Sequence, residues 1–255
     1  MIDSPRPLSS FASLLVLALV GLPLVSACGN SEPGSGAPNS ENGGAGGDGG
    51  NPLDGPLLPW AVGNNWTYRV TEDGVVSLKT TTIGDLEKVG GEGPNADLMA
   101  YHVTTAKGTD LNDHTESWQG PSDDDPQRIV RYLEQSFDAS SGKLELTEYW
   151  DPSKLHIDGS AAHTAENASW LESYSETKLP EGLTPTTHEV HERWNVLEAD
   201  TTLEVPAGTF EHVTHLQKVG SSTTKEYWYL RGVGKLKETG SQTEELTEYQ
   251  LKDAP

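Results

Sequence analysis

The sequence predicts a mainly β protein: a single curled antiparallel sheet or half-open β-barrel with few or no helices, behind a disordered N-terminal tether. Three observations lead there. Short runs rich in Thr, Val, Tyr and Trp recur from about residue 56 to residue 252, broken by Gly, Pro, Asn and Asp, which is the pattern of many short strands. Within the runs apolar residues alternate with polar ones, as on a strand with one buried face. Ahead of them, residues 29–55 hold ten Gly among 27 positions, the rest mostly Ser, Asn, Pro and acids. Such a stretch buries too little apolar surface to offset its ordering entropy.

The alternation can be followed strand by strand. Trp66, Tyr68 and Val70 alternate with Thr67 and Arg69. Val190, Trp194 and Val196 share one parity, and so do Thr247, Tyr249 and Leu251. Residues 75–83, 98–106 and 225–230 are further strand-like runs. One segment reads both ways. Asp125-Pro126 resembles a helix start, with Asp as cap and Pro at the first position, and Ile129, Val130, Leu133 and Phe137 fit a helical face. The DASSG stretch at 138–142 reads instead as a hairpin turn into LELTEYW, and two paired strands are the reading adopted. Val205-Pro206-Ala207-Gly208 has the composition of a tight turn closing onto a left-handed Gly. Gly232 and Gly234 suggest a bend or bulge between two strands.

The first residues carry the clearest chemistry. The run from Phe11 to Val25 holds no charge; it is short for a membrane span, which needs about 20 apolar residues, and fits the core of a secretory signal. Val25-Ser26-Ala27-Cys28 then resembles the lipobox of bacterial lipoproteins. The resemblance implies cleavage before Cys28, acylation of its thiol by palmitate-type chains, and usually acylation of the new amine. Cys28 is the single cysteine, so acylation also accounts for a leftover thiol in an exported chain. Gly29 after it implies, by the commonest sorting rule of that family, the outer membrane. The expected organisation is a lipoprotein signal peptide at 1–27, a flexible Gly-rich tether with lipidated Cys28 at 28–55, and a β-rich exported domain at 56–255. The domain is long enough to bury a core of its own.

The exported domain has a resemblance of its own. GNNWTY (63–68), EYWDP (148–152), VPAGTF (205–210) and YWYLRGVGKLKE (227–238) look like motifs of a group of uncharacterised exported bacterial proteins. It implies a curled antiparallel sheet, distantly like the half-barrels of lipoprotein carrier and receptor proteins. No catalytic residues come with it, and fold alone does not imply function.

Charge narrows the functional classes. Asp and Glu total 39 against 17 Lys and Arg, for a net charge of −22, so nucleic acid is excluded as an expected partner, because its phosphates need a basic surface. His188 with His191 and His212 with His215 lack the HExxH spacing of a zinc protease. Residues three apart on a strand face opposite ways, so no metal site and no cofactor are expected. Asp123, Asp124 and Asp125 lack the pattern of a calcium loop. Neither GxSxG nor a reactive thiol is present, and no catalytic residue is assigned.

The aromatics are the remaining clue. All seven Trp fall in the exported domain. Trp118, Tyr132, Trp150, Trp170, Tyr174, Trp194 and Trp228 form a candidate apolar groove, weighed against rings that fill a core. The expected function is a non-catalytic envelope lipoprotein, anchored to the membrane through Cys28. It would bind an apolar ligand or an envelope protein in its curled sheet. A structural or interaction module with a filled core is the alternative, and a hydrolase of unknown class comes third.

Overall fold

The computed structural model describes residues 55–108 and 112–252. The expected signal peptide, Cys28 and all of the expected tether but Gly55 lie outside the described residues. Among the described residues twelve strands run in chain order: β1 (Asn65–Glu72), β2 (Val75–Lys88), β3 (Met99–Lys107), β4 (His114–Pro121), β5 (Arg128–Phe137), β6 (Leu144–Asp158), β7 (Ser169–Pro180), β8 (Thr186–Val205), β9 (Gly208–Val219), β10 (Thr224–Leu230), β11 (Gly234–Thr239) and β12 (Thr243–Gln250). A four-residue helix, α1 (Ala161–Thr164), lies between β6 and β7. Each strand pairs antiparallel with the next, and β1 pairs with β12. The curled sheet thus closes completely, into an up-and-down barrel that leaves no unpaired edge.

Local features shape the turns between the strands. Residues 128–137 are a strand, β5, as read from the sequence, and the Asp138 carbonyl accepts from Ser141 and Gly142 N–H to make the turn into β6. Asp138 Oδ1 also accepts from Ser141 N at 2.9 Å. Val205 pairs directly with Gly208, whose φ is 138°, so the Pro206-Ala207 turn is a two-residue hairpin loop. The Ala207 N–H then donates to Leu246 O on β12 at 2.9 Å, three strands beyond β9 in the sheet order. Gly234 sits at φ 108°, and a Cβ there would lie 3.0 Å from both Leu58 and the Trp66 indole. The Gly-Val-Gly turn therefore exists for a close approach.

Alternation decides which side chains enter the barrel. Trp66, Tyr68 and Val70 are buried, as are Trp194 and Val196. In β12 the buried parity is Glu244 and Leu246, while Tyr249 is exposed. Of the expected set Thr247, Tyr249 and Leu251, Leu251 packs on the main core and Tyr249 stands opposite buried Trp66, although Tyr249 itself is exposed. A register shift against β12 lies between Thr67 and Tyr68.

The two ends of the barrel differ. The chain enters at the end that holds the β10–β11 turn. There Leu57 and Leu58 are buried in the main core with Trp66, Ile83, Trp194, Leu216, Tyr229, Leu236 and Leu246. Backbone bonds tie this plug down: Gly232 N donates to Pro56 O, and Gly63 N to Ile83 O. Arg231 spans the same end, donating to Gly55 O, Gly159 O and the Thr164 hydroxyl. The opposite end carries the hairpin turns β1–β2, β5–β6, β7–β8, β9–β10 and β11–β12. A small second core forms where residues 89–98 fold back over the outside of β4 to β6: Val89, Ala100, Trp118 and Leu133 are buried together, with Tyr132 and Tyr149 packed on them. Asn95 secures that loop through Nδ2 to Trp150 O at 2.7 Å.

The remaining outer face mixes cross-strand polar pairs with exposed apolar side chains such as Val76, Leu78, Leu86, Met99 and Leu171. Arg69 meets Glu245, Ser173 meets His191 and Ser175 meets Glu189 across neighbouring strands.

Candidate ligand-binding cavity

Eight strands make a barrel that its own side chains can fill, and wider barrels enclose space. Here the plug fills one end, and toward the other lies a cavity of about 380 Å³. Its lining is charged. Six of the chain's 17 Lys and Arg line it: Lys79, Arg131, Lys154, Lys218, Lys225 and Lys235. Three carboxylates line it with them, Glu134, Glu238 and Glu244. A smaller apolar recess at its floor, about 50 Å³, is bounded by Leu58, Trp60, Trp66 and Ile83. The two share Thr81, Gln119, His156 and Lys235.

Strand parity puts these charges inside. Lys218 shares a face of β9 with Leu216, and Lys225 shares one of β10 with Tyr227 and Tyr229. Glu244 shares a face of β12 with Leu246. Each position would be apolar in a filled barrel; here it faces open volume. Ion pairs offset part of the desolvation cost. Lys235 lies 2.5 Å from Glu238 and 2.8 Å from Glu244, and Lys79 pairs with Glu244. Lys225 reaches Glu238 at 2.7 Å, Lys218 reaches Glu192 at 3.1 Å, and Arg131 pairs with Glu134. Lys154 lies 3.6 Å from Glu176 and 4.7 Å above the Trp150 ring.

The environment splits the lysines into two kinds. Burial works against charge on Lys235, but Glu238 and Glu244 outweigh it and hold its pKa well above the usual value. For Lys79, burial and the like charge of Lys235 outweigh Glu244 and bring the pKa down to about 8. Burial likewise lowers Lys218 despite Glu192. Burial, helped by Arg131, pushes His156 well below its usual value. The ring is therefore neutral, and its Nδ1 lies 2.6 Å from Gln119 Oε1. Burial opposes charge on Glu238 and Glu244, yet Lys235 leads the cations that hold both below the usual carboxylate range.

Not every polar atom is satisfied. Among the described residues, Tyr229 Oη, Arg131 Nε and Trp60 Nε1 are buried around the two spaces without a hydrogen-bond partner. Buried polar groups are ordinarily paired, so three available donors at one site stand out. One buried acceptor, Glu192 Oε2 behind Lys218, is also unpaired.

The seven aromatic residues singled out from the sequence do not form one groove, and none of them lines the cavity. Trp118 and Tyr132 belong to the outer satellite core. Trp228 faces outward, stacked on His215 at 4.1 Å beneath Lys237. Trp170 stacks on Trp194 at 6.0 Å, and Trp194 on Tyr227 at 5.6 Å, filling the wall. Trp150 is buried with its Nε1 on Glu176, and Tyr174 is buried beside Glu176 and Glu192. The correction has a simple cause: a closed sheet turns its inward rings against one another, and rings on the opposite parity cannot join them.

The histidine pairs separate as strand geometry requires. His188 meets Glu176 and His191 meets Ser173; His212 meets Asp200 and His215 meets Glu226. Among the described residues no group of three His, Cys, Asp or Glu is placed to hold a metal ion. Asp125 serves its own loop, accepting from Gln127 N at 2.9 Å. The cavity cations escaped the sequence reading because a Lys in an alternating strand is ordinarily assigned outward. The available signal was a charge on the parity of buried residues: Glu192 between Val190 and Trp194, and Lys218 beside Leu216.

No family model matches the chain, and no curated protein matches it in sequence. Among solved structures, a lipoprotein candidate from Parabacteroides distasonis ATCC 8503 is similar, with a TM-score of 0.40 and 11% identity. The match covers 77% of this chain and 99% of that one. A likeness this distant says nothing about function.

Proposed function

We propose that the protein is an envelope lipoprotein, anchored through Cys28, whose barrel is a non-catalytic binding module. It takes a small polar molecule into its charged cavity. The observation that carries this reading is the cavity itself, about 380 Å³, within the size range of small-molecule sites and walled by charged side chains with unsatisfied donors. The anchor rests on Val25-Ser26-Ala27-Cys28 and the Gly-rich stretch after it. Two or more acyl chains suffice for stable attachment, each buried CH₂ contributing about 0.8 kcal/mol. The outer membrane is the membrane favoured by Gly29.

The apolar-ligand version loses its support, because the rings meant to line a groove are packed against each other or lie outside. A structural role is favoured by one observation: Lys79, Lys235, Glu238 and Glu244 tie β2, β11 and β12 together across the interior. Native mass spectrometry of the full-length protein from its own membranes separates the two. A small molecule leaving with the folded barrel supports the binding module; none, across several growth conditions, favours the structural role. The anchor is checked by Cys28→Ser, which should leave the membrane fraction or stay unprocessed; normal processing with retained acyl labelling would defeat it.

A further inference from the structure

We propose that the cavity is an oxyanion site, taking a small multiply charged phosphate or carboxylate compound among Arg131, Lys154, Lys218, Lys79 and Tyr229. This rests on the binding-module reading above and names the chemistry of its ligand.

The first argument is charge placement. The chain carries −22 overall, yet six of its 17 cations line one interior space with three carboxylates. Counting also Glu176 and Glu192, which stand behind Lys154 and Lys218, cations still outnumber acids by six to five. An acidic protein that merely needed polar filling for a wide barrel had acids in abundance. It placed cations there instead. The outer negative field is screened within about 8 Å at physiological ionic strength, whereas buried charges are screened much less. An anion at the mouth therefore responds chiefly to the lumen.

The second argument is geometry. The cations are not spent as isolated pairs. Lys79 and Lys235 both crowd Glu244, and Lys225 and Lys235 share Glu238. Arg131 and Lys154 are directly paired in register on β5 and β6 and both approach the Trp150 ring. Lys218 and Lys225 face each other across β9 and β10. An anion between such like charges relieves their repulsion and adds charge-assisted hydrogen bonds.

The third argument is the unpaired atoms. Tyr229 Oη, Arg131 Nε and Trp60 Nε1 all have a hydrogen to donate, and none has an acceptor among the described residues. An oxyanion is an acceptor with no need of donors in return. The apolar floor under Trp60, with Leu58, Trp66 and Ile83, suits the carbon body of an organic anion.

The test uses the full-length protein extracted in an uncharged detergent, with inorganic pyrophosphate, citrate and glucose as probes, at constant ionic strength set with chloride. Binding is read by calorimetry and by melting temperature. Pyrophosphate or citrate should bind and raise the melting temperature with dose, while glucose does neither. Pyrophosphate alone assigns a phosphate group and citrate alone a carboxylate; either result supports the site. Tyr229→Phe removes a hydroxyl without a partner, and Lys79→Gln leaves Glu244 still paired with Lys235. Both variants should fold, and each should weaken the anion at least tenfold. Undiminished binding in both folded variants would place the anion elsewhere and overturn the assignment. If only glucose binds, or a neutral molecule copurifies while neither anion binds, the oxyanion assignment falls and the binding module stands. If nothing binds and nothing copurifies, both fall.

Discussion

The plug end and the mouth end of the barrel are built from the same twelve strands, yet one is packed and the other charged. At the plug, Leu57 and Leu58 enter from outside the sheet and share one buried core with Trp66, Trp194 and Leu236. Toward the mouth, the same inward parities carry Lys79, Lys218, Lys225, Glu238 and Glu244 around open volume. Apolar burial at one end stabilises the fold, while the buried charges at the other cost stability.

Trp194→Ala attacks the packed half most directly. The ring is stacked between Trp170 and Tyr227, and its removal should cost about 3–5 kcal/mol. Denaturant unfolding measures this; a loss under 1 kcal/mol would mean the packed end does not hold the fold. Glu244→Gln tests the charged half, since it leaves Lys79 without its carboxylate. The expected loss is about 3 kcal/mol, as for breaking a buried pair, and a neutral result would show that water already satisfies Lys79.

Acid should distinguish the halves next. Lys235 and its neighbours hold Glu238 and Glu244 below the usual value of 4.5. Their folded pKa values are depressed, so their contribution is complete above that value and lost as pH falls through the lowered ones. Melting temperature should be level from about pH 7 to 5 and fall below about 4. The Glu238→Gln, Glu244→Gln double variant should show a shallower fall, and equal slopes would detach the mouth from acid sensitivity. The smallest effect belongs to neither end: Arg69→Ala breaks an outer pair with Glu245 that is half in water and should change stability by under about 1 kcal/mol.

Particular residues show what could be read in the chain. The alternation of Trp66, Tyr68 and Val70 placed β1 and its buried face correctly, and Asp138 marked the turn that resolved residues 128–137 as a strand. The Val-Pro-Ala-Gly turn was legible as a hairpin, but its docking on β12 was not, because Leu246 lies far along the chain. Tyr249 shows the same limit: it stands opposite buried Trp66 yet is itself exposed, because alternation does not say whether anything covers a ring near the end of a strand. The cavity cations were the largest omission. Alternation sorts residues into two faces, but it is silent on whether the inner face meets a packed core or open space.

By itself the sequence determined the β class, the strand period, the turns and the acidic charge balance, since each depends on composition or on residues that are neighbours along the chain. Only the tertiary structure decided that the sheet closes at twelve strands, that residues 57–61 plug one end, and that six cations share one interior. Those facts depend on strand count, register and closure. They are sums over the whole sheet, in which each long-range pairing is settled by its partner strand rather than by its own residues.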